Sequence, residues 1–363
     1  MKRVFLFRQV IWQGVLRLPT SINWFKTKSM ALSKFVGPEI RGVVNVVPHH
    51  TEDNLELELL APEERHALVA HTGIRFRKIA PRQHSVQHYF EKAVETLLHK
   101  ISWNASEIDV FICVTQSPEM VIPAVSCRIH GNLNMGKQTL CFDINSGCSG
   151  FVYGLNTVYA LLSGLGKKNG KAILCCGDLS THLIEPNDKS VRPIFSDGVA
   201  AVAIENSVDE ASNASFFNLE TDGSGQHAIE MQTTFKNENF MRLNGIDVFN
   251  YSVRSVPQNI TDLFQFAGIS PETVDLFVFH QANKLINESI RKKLNVPAEK
   301  VPYSLYDYGN TASASIPMTI ATDWKRDSMN SGWLLLSGFG VGFSIGSALV
   351  HFNPLSCDGP IEF

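Results

Sequence analysis

Short runs of consecutive apolar residues alternate along the chain with stretches whose apolar residues recur every three or four positions. The clearest apolar runs cover residues 109–114, 139–144 and 172–177. Such runs are typical of strands that are buried on both faces of a sheet. Residues 153–165 instead have helical spacing and end near Gly164 and Gly166, which favour helix termination. The alternation predicts an α/β protein with a largely parallel, doubly wound sheet.

A pattern in the first half of the chain recurs in the second half. Residues 105–118 resemble residues 270–283, because polar residues, an Asp and an apolar strand follow one another in both. Asp109–Ile112 aligns with Asp275–Val278 at an offset of 166 residues. A repeat of this kind predicts two similar αβ units packed as a pseudo-symmetric pair. Chance similarity between two short apolar strands is the alternative.

The N-terminal segment differs in composition from the rest of the chain. The first 29 residues carry six Lys and Arg residues and no acidic residue. Basic, acid-free segments are typical of organelle presequences, but this one lacks a small-residue cleavage site. We therefore favour an upstream start, with the working protein beginning at Met30. No apolar run in the segment is long enough to span a membrane.

Composition excludes several classes of function. The 363 residues are 44% hydrophobic and 18% charged, which is globular composition with ample material for a core. The formal net charge of −3 gives no support to nucleic-acid binding. Seven cysteines occur without a Cys-x-x-Cys pair or the spacing of a zinc site. This usage predicts reduced thiols, no metal site and a cytoplasmic protein.

One cysteine occupies a position suited to a nucleophile. Cys148 lies between Gly147 and Gly150, after a predicted strand and before a predicted helix. The unpaired amides at a helix N-terminus and the helix dipole both favour a thiolate. We therefore expect a lowered pKa for the Cys148 thiol and a nucleophile near neutral pH. A buried structural cysteine is the alternative.

Two more side chains and a glycine-rich stretch also suit chemistry. His280 follows an apolar strand, where it lines a ligand crevice or is a hydrogen-bonded core histidine. Asn310 precedes a run of small residues and either caps the next helix or presents its amide to a substrate oxygen. Residues 337–350 form an ordinary hairpin or bring amides to an oxyanion. Together these groups are what acyl-thioester chemistry needs.

Four motifs resemble those of one known family in type, order and spacing: DINSGCSGF, FHQANKLI, YGNTASASIP and GFGVGFSIGS. The family is β-ketoacyl-acyl carrier protein synthase III of the thiolase superfamily, and the resemblance covers about residues 36–353. It implies a thiolase-like α/β fold, with two pseudo-symmetric αβ halves in an α-β-α-β-α layered arrangement, usually as a homodimer. The division that we expect is an extension, two halves and a tail: residues 1–35, 36–212, 213–353 and 354–363.

The resemblance also implies a mechanism. Cys148 accepts an acyl group from a starter thioester, and His280 and Asn310 hold the carbonyl of malonyl-acyl carrier protein while carbon dioxide leaves. The carbanion attacks the acyl-Cys148 carbonyl, whose oxyanion lies at the backbone amides of Cys148 and Val341. The product is a 3-oxoacyl thioester for fatty acid, specialised lipid or secondary metabolite biosynthesis. The expected partner is acyl carrier protein. The substrates are thioesters of coenzyme A or of acyl carrier protein, and no cofactor is expected.

Residues at the predicted coenzyme A site depart from the family pattern. Ala67 and His71 stand where typical members have an adenine-stacking Trp and an Arg, and Lys189 replaces another Arg. Losing a stacking surface and planar cations weakens nucleotide binding. We therefore expect weaker use of acyl-coenzyme A as starter donor, and an acyl carrier protein is the other donor that this site leaves open. Its basic docking surface is expected to include Arg75, Arg77 and Lys78.

The predicted acyl pocket departs in one place. Ile122 stands where typical members have a Phe that crosses the dimer to bound the partner's pocket, so a starter longer than acetyl is expected. Repacking by other side chains is the alternative. Phe339, in the glycine-rich stretch, completes the predicted substrate contacts.

Three other functions stay open on the sequence alone. A Cys with His and Asn downstream is also the pattern of papain-like cysteine proteases, although the Cys-Gly-Ser-Cys-Trp signature is absent. A half-active subunit that depends on a paralogue is the second. An acyltransferase that passes the acyl group to an alcohol or amine without decarboxylation is the third.

Overall fold

The computed structural model describes residues 31–207, 214–233, 239–324 and 331–363. The question of a presequence before Met30 lies outside the described residues. The predicted boundary between residues 212 and 213 lies within the undescribed residues 208–213. Within the described ranges, no helix has the length and apolarity needed to cross a membrane.

Helices and strands alternate through most of the described chain. The strands are β1 Ala31–Val36, β2 Pro38–Val47, β3 Thr51–Asp53, β4 Phe76–Lys78, β5 Val110–Val114, β6 Leu140–Ile144, β7 Lys171–Asp178, β8 Gly198–Asn206, β9 Ala214–Thr221, β10 Ile229–Thr233, β11 Asn239–Leu243, β12 Leu276–Phe279, β13 Gly332–Gly340, β14 Ser344–Cys357 and β15 Ile361–Glu362. The helices are α1 Pro62–Thr72, α2 Val86–Ile101, α3 Val125–Asn132, α4 Gly150–Leu165, α5 Gly245–Ala267, α6 Lys284–Leu294, α7 Leu305–Tyr308 and α8 Ser315–Asp323. The helix predicted over residues 153–165 is confirmed as most of α4, which is followed by Gly166 in the left-handed region at φ 59°.

Two groups of strands form the main sheet. The first has the order β6-β5-β7-β8-β2 and the second the order β12-β13-β14-β9-β1, and β14 also pairs with β2. β5 pairs in parallel with β7, as β12 does with β13. β7 then pairs antiparallel with β8, as β13 does with β14. The prediction of a largely parallel sheet is therefore wrong, because tight hairpins such as β13–β14 require antiparallel neighbours.

The internal repeat predicted from the sequence is confirmed by matching contacts. Asp109 precedes β5, and its Oδ2 accepts a hydrogen bond from the Lys171 N–H at 2.9 Å. Asp275 precedes β12, and its Oδ2 accepts from the Trp333 N–H at 2.7 Å. Each carboxylate thus ties the start of one parallel strand to the start of its neighbour. The same contact in both halves is inconsistent with chance similarity.

The halves stack as the predicted five layers. Buried side chains of α4 and α8 share one core cluster with strands of both groups, including Val202 of β8 and Leu334 of β13. The buried face of α2 packs on the other side of the first group. Buried side chains of α5 and α6 pack on the other side of the second group. The layered α-β-α-β-α arrangement is therefore confirmed, with α4 and α8 at its centre.

Two strands differ from the sequence prediction in their surroundings. β5 is buried along its whole length, as predicted, but β6 is the last strand of its group and Leu140 is exposed. Residues 139–144 are therefore not buried on both faces within this chain. β14 continues past residue 353 to Cys357, and β15 pairs with β2, so residues beyond the predicted start of the tail belong to the sheet.

Candidate active site

Cys148 lies in a tight turn between β6 and α4, next to Ser149, which directly precedes the helix. A Cβ atom on Gly147 would lie 2.5 Å from Oε1 of Gln116, and one on Gly150 would lie 2.6 Å from Val114. Both distances are below van der Waals contact, so a larger residue at either position displaces its neighbours. The predicted strand-to-helix turn around the cysteine is confirmed.

The hairpin between β13 and β14 packs directly on the cysteine. Gly340 has φ +156°, and a Cβ atom there would lie 3.1 Å from Sγ of Cys148. The backbone amides of Cys148 and Val341 are near enough to the thiol to act on it, and both lower its pKa. The glycine-rich stretch is thus a hairpin and also a source of amide donors, which are the two readings that the sequence left open.

The environment of the thiol differs from the sequence prediction. Burial raises the pKa of Cys148 to about 12, the negative charge of Asp178 acts in the same direction, and the two amide hydrogen bonds only partly oppose them. Asp178 itself is buried and accepts hydrogen bonds from Thr115, Gln116 and Ser117. The expectation of a lowered thiol pKa is therefore wrong, because desolvation of the thiolate outweighs the helix terminus.

A raised pKa has a direct consequence for reactivity. The thiolate is the reactive form, and below a pKa of about 12 its fraction rises about tenfold per pH unit. We expect the rate of iodoacetamide alkylation at Cys148, followed by peptide mass spectrometry, to rise with unit slope from pH 7 to 9.5. A small thiol of ordinary pKa near 8.5, alkylated in parallel, levels off over this range. A plateau for Cys148 below pH 8 would contradict the buried, protonated thiol.

His280 is held on several sides just after β12. Its N–H donates to the Ser337 carbonyl at 2.8 Å, and its carbonyl accepts from Asn287 at 3.1 Å. The ring Nδ1 lies 2.7 Å from Oγ of Ser315. Burial lowers the pKa of His280 to about 3, with the Ala312 backbone acting in the opposite direction. The imidazole is therefore neutral at physiological pH and fixed in place.

Asn310 is a buried residue in the loop before α8. Its N–H donates to the Ile194 carbonyl at 3.1 Å, and its carbonyl accepts from Ser196 at 3.0 Å. Oδ1 accepts a hydrogen bond from the Ala312 N–H at 2.9 Å, so the other polar end of the side chain, Nδ2, is a donor. α8 is directly preceded by Ala314. The alternative that Asn310 caps α8 is therefore wrong.

Contacts join these three residues. The Phe339 ring meets the His280 ring edge-on at 5.6 Å between centroids, and the next residue, Gly340, lies against Cys148. The backbone of Ala312 interacts with both His280 and Asn310. A thiol, a neutral imidazole and a carboxamide donor are thus connected through one hairpin and one loop. Phe339, predicted as a substrate contact, is itself buried between these groups.

The residues at the predicted coenzyme A site, and Ile122, lie on the surface of the described chain. Ala67 and His71 are exposed on α1, a helix without buried residues. Lys189 Nζ pairs with Oε2 of Glu64 on the same helix at 3.3 Å. Ile122 is 83% exposed, so within one chain its side chain bounds no pocket.

The basic surface predicted at residues 75–78 is not present. Arg77 is buried and paired with Glu52, and the buried Lys78 pairs with Glu362 at 2.6 Å. Arg75 bonds to Asp53 at 3.0 Å. The expectation that these three cations form a carrier-protein surface is therefore wrong, since each already has a carboxylate partner.

Ser315, Asn287 and Asp178 contact the site, but local sequence does not single them out. Ser315 falls inside the motif YGNTASASIP, but its contact with His280, 35 positions earlier, depends on how α8 packs against the end of β12. Within the described residues, no group of three or more His, Cys, Asp or Glu side chains is placed to hold a metal ion.

Comparison with known proteins identifies relatives over most of the chain. Residues 142–223 match the family model of 3-oxoacyl-[acyl-carrier-protein] synthase III, and residues 264–352 match the model of its C-terminal part. The β-ketoacyl-[acyl-carrier-protein] synthase III of Lactobacillus helveticus is 32% identical over 88% of this chain and 100% of its own length. That of Campylobacter fetus is 31% identical over 85% and 96%.

Solved structures give the same result. The 3-oxoacyl-(acyl-carrier protein) synthase of Burkholderia xenovorans superposes with a TM-score of 0.87 at 30% identity, covering 92% of this chain and 99% of that one. The priming β-ketosynthase of the R1128 polyketide pathway has a TM-score of 0.80 at 23% identity, over 88% of this chain and 97% of its own. The second likeness extends to the fold alone.

Proposed function

The chain belongs to the β-ketoacyl-[acyl-carrier-protein] synthase III family, and on that basis we propose that its decarboxylating condensation proceeds through an acyl-Cys148 intermediate. One observation carries the proposal: the Cys148 thiol is buried against Gly340 of the β13–β14 hairpin, next to the amides of Cys148 and Val341 that lower its pKa. Donors fixed before the reaction stabilise an oxyanion without reorganisation. The fold and family exclude a papain-like protease, and condensation is favoured over transfer to an alcohol or amine.

Acyl transfer is the first half of the reaction. The Cys148 sulfur attacks the carbonyl carbon of the starter thioester, a new C–S bond forms, and the oxyanion lies at the two amides. The old C–S bond then breaks, and the proton of Cys148 ends on the departing thiol. Because the free thiol has a raised pKa, proton loss accompanies attack and does not precede binding. The charge on sulfur is therefore transient.

Condensation is the second half. The bond between the malonyl carboxylate and its α-carbon breaks, carbon dioxide leaves, and the electron pair moves into the enolate of the thioester. His280 and the Nδ2 of Asn310 donate to that enolate oxygen. The α-carbon then attacks the acyl-Cys148 carbonyl, the 3-oxoacyl product departs, and the expelled thiolate regains a proton from water. A neutral, buried imidazole suits this task, because it donates one hydrogen bond without a permanent charge.

Starter choice follows from the altered coenzyme A site. The Glu64–Lys189 pair uses a cation that would otherwise be available to a nucleotide phosphate, and α1 presents Ala67 and His71 instead of an aromatic and a fixed cation. We propose medium or longer starters, carried on acyl carrier protein. Two of the exposed lysines of α6, Lys284 and Lys292, provide the basic docking surface that residues 75–78 do not.

Kinetics with acetyl-coenzyme A, octanoyl-coenzyme A and octanoyl-acyl carrier protein test this choice. We expect the highest kcat/KM for the carrier-bound octanoyl group. His71→Arg should lower KM for octanoyl-coenzyme A about tenfold, the equivalent of about 1.4 kcal/mol, without changing the carrier-bound value. Lys284→Glu with Lys292→Glu should weaken only the carrier-bound substrate. A clear preference of the unchanged protein for acetyl-coenzyme A would contradict the proposal.

A homodimer is supported by surface that one chain leaves uncovered. Val121 and Ile122 are 89% and 83% exposed, Leu140 is exposed on the edge strand β6, and exposed sheet edges favour pairing between chains. Sedimentation velocity should show a dimer that Leu140→Lys dissociates, and an unchanged monomer for both proteins would refute it. We keep the cytoplasm as the proposed compartment, because the buried Cys113, Cys175 and Cys176 form no disulfide; cell fractionation tests this.

A further inference from the structure

Ser315 makes the contact with His280 that bears most directly on its chemistry. Its Oγ lies 2.7 Å from the ring Nδ1, and both residues are buried, with 1% exposure each. The same Oγ lies 3.3 Å from the backbone nitrogen of Gln281, which donates to it. Ser315 therefore joins the ring to the backbone at the end of β12.

The distances at this contact indicate where the protons lie. A backbone N–H only donates, so the Gln281 amide uses an acceptor site of Oγ and leaves the hydroxyl proton to be placed. The ring Nδ1 of His280, at 2.7 Å, is the acceptor that this proton reaches. In a neutral imidazole an accepting Nδ1 requires the proton to be on Nε2.

We infer that Ser315 is a positioning residue that fixes His280 in the tautomer with its proton on Nε2, so that Nε2 donates to the enolate oxygen during decarboxylation. The inference rests on the proposed role of His280. The opposite tautomer would direct a lone pair of Nε2 at the enolate oxygen. That lone pair would repel the negative charge that Asn310 stabilises on the same oxygen. Acyl loading needs no such donor, so Ser315 should affect only the second half of the reaction.

The chain offers a matched set of variants. Ser315→Ala removes the hydroxyl, and Ser315→Thr retains it. Ser313→Ala is the control, since Ser313 is also buried, two residues before Ser315, but its Oγ has no hydrogen-bond partner within the described structure. We expect Ser315→Ala to reduce kcat for condensation on the order of ten- to a hundredfold. This loss is smaller than the roughly 10⁴-fold loss of kcat that a wrong histidine tautomer causes in a serine protease. KM for malonyl-acyl carrier protein and the rate of acyl loading should not change.

The tautomer itself is measurable without an activity assay. Protein labelled with ¹⁵N-histidine gives distinct two-bond ¹H–¹⁵N patterns for the two tautomers, and the His280 signals are assigned by their loss in His280→Gln. The inference predicts Nε2–H in the unchanged protein and in Ser315→Thr, and a shift toward Nδ1–H in Ser315→Ala. Nδ1–H in the unchanged protein, or normal condensation by a folded Ser315→Ala, would overturn it. If His280→Gln condenses normally, the proposed role of His280 fails, whereas the spectrum still reports the tautomer.

Discussion

Replacement of Cys148 by Ala is expected to abolish the acyl-enzyme and to reduce condensation by at least about 10⁴-fold. Removing the nucleophile from a set of residues that act together costs nearly all of their joint contribution. The substitution removes one sulfur atom from a buried site and retains the turn formed by Gly147 and Gly150, so the fold should persist. Intact mass spectrometry after incubation with octanoyl thioester should show the octanoyl adduct on the unchanged protein and none on Cys148→Ala.

The exposed cysteine of α3 provides the control for this experiment. Cys127 is exposed and would be acylated first if labelling followed accessibility. Cys127→Ala should therefore carry the adduct and condense like the unchanged protein. An adduct that persists on Cys148→Ala and disappears from Cys127→Ala would show that the wrong cysteine has been assigned.

His280→Ala and Asn310→Ala are expected to separate the two halves of the reaction. Each removes one donor to the enolate oxygen, and the loss of such a donor costs on the order of 10²- to 10³-fold. Condensation should fall by that factor in either variant. Acyl loading, which relies on the amides of Cys148 and Val341, should remain close to that of the unchanged protein.

Stopped-flow release of carbon dioxide measures the second half, and intact mass measures the first. If loading falls as steeply as condensation in both variants, His280 and Asn310 act on the thiol and not on the malonyl group. The low pKa of His280 adds a pH expectation. Its ring stays uncharged from pH 5 to 9, so the profile for condensation should show no histidine titration over this range.

Features determined by local sequence were predictable. The glycines on either side of Cys148 predicted the tight turn before α4, and the spacing of apolar residues predicted α4 itself. The aligned residues Asp109 and Asp275 predicted the duplication, since each motif carries its own strand and its own carboxylate. Each of these features depends on a few residues that are neighbours in sequence, so contacts with distant parts of the chain do not alter it.

Features determined by distant contacts were not predictable. The pKa of Cys148 depends on burial under the β13–β14 hairpin and on Asp178, neither of which is adjacent in sequence. Lys78 looked like a surface cation, but it pairs with Glu362, 284 positions away. The edge position of β6 depends on strand order, because an apolar run has the same composition at the centre and at the edge of a sheet. In each case the local sequence predicts the element correctly, but residues that are distant in sequence determine its burial, its ion pair or its place in the sheet.

A single-turnover experiment tests the central claim most directly. The protein is loaded with an octanoyl group, freed of excess donor, and mixed with malonyl-acyl carrier protein labelled in the free carboxylate. The account predicts that the adduct leaves Cys148 at the rate at which labelled carbon dioxide appears, with one 3-oxodecanoyl-acyl carrier protein formed per adduct lost. Loss of the adduct without carbon dioxide, or carbon dioxide release while the adduct stays on Cys148, would contradict it.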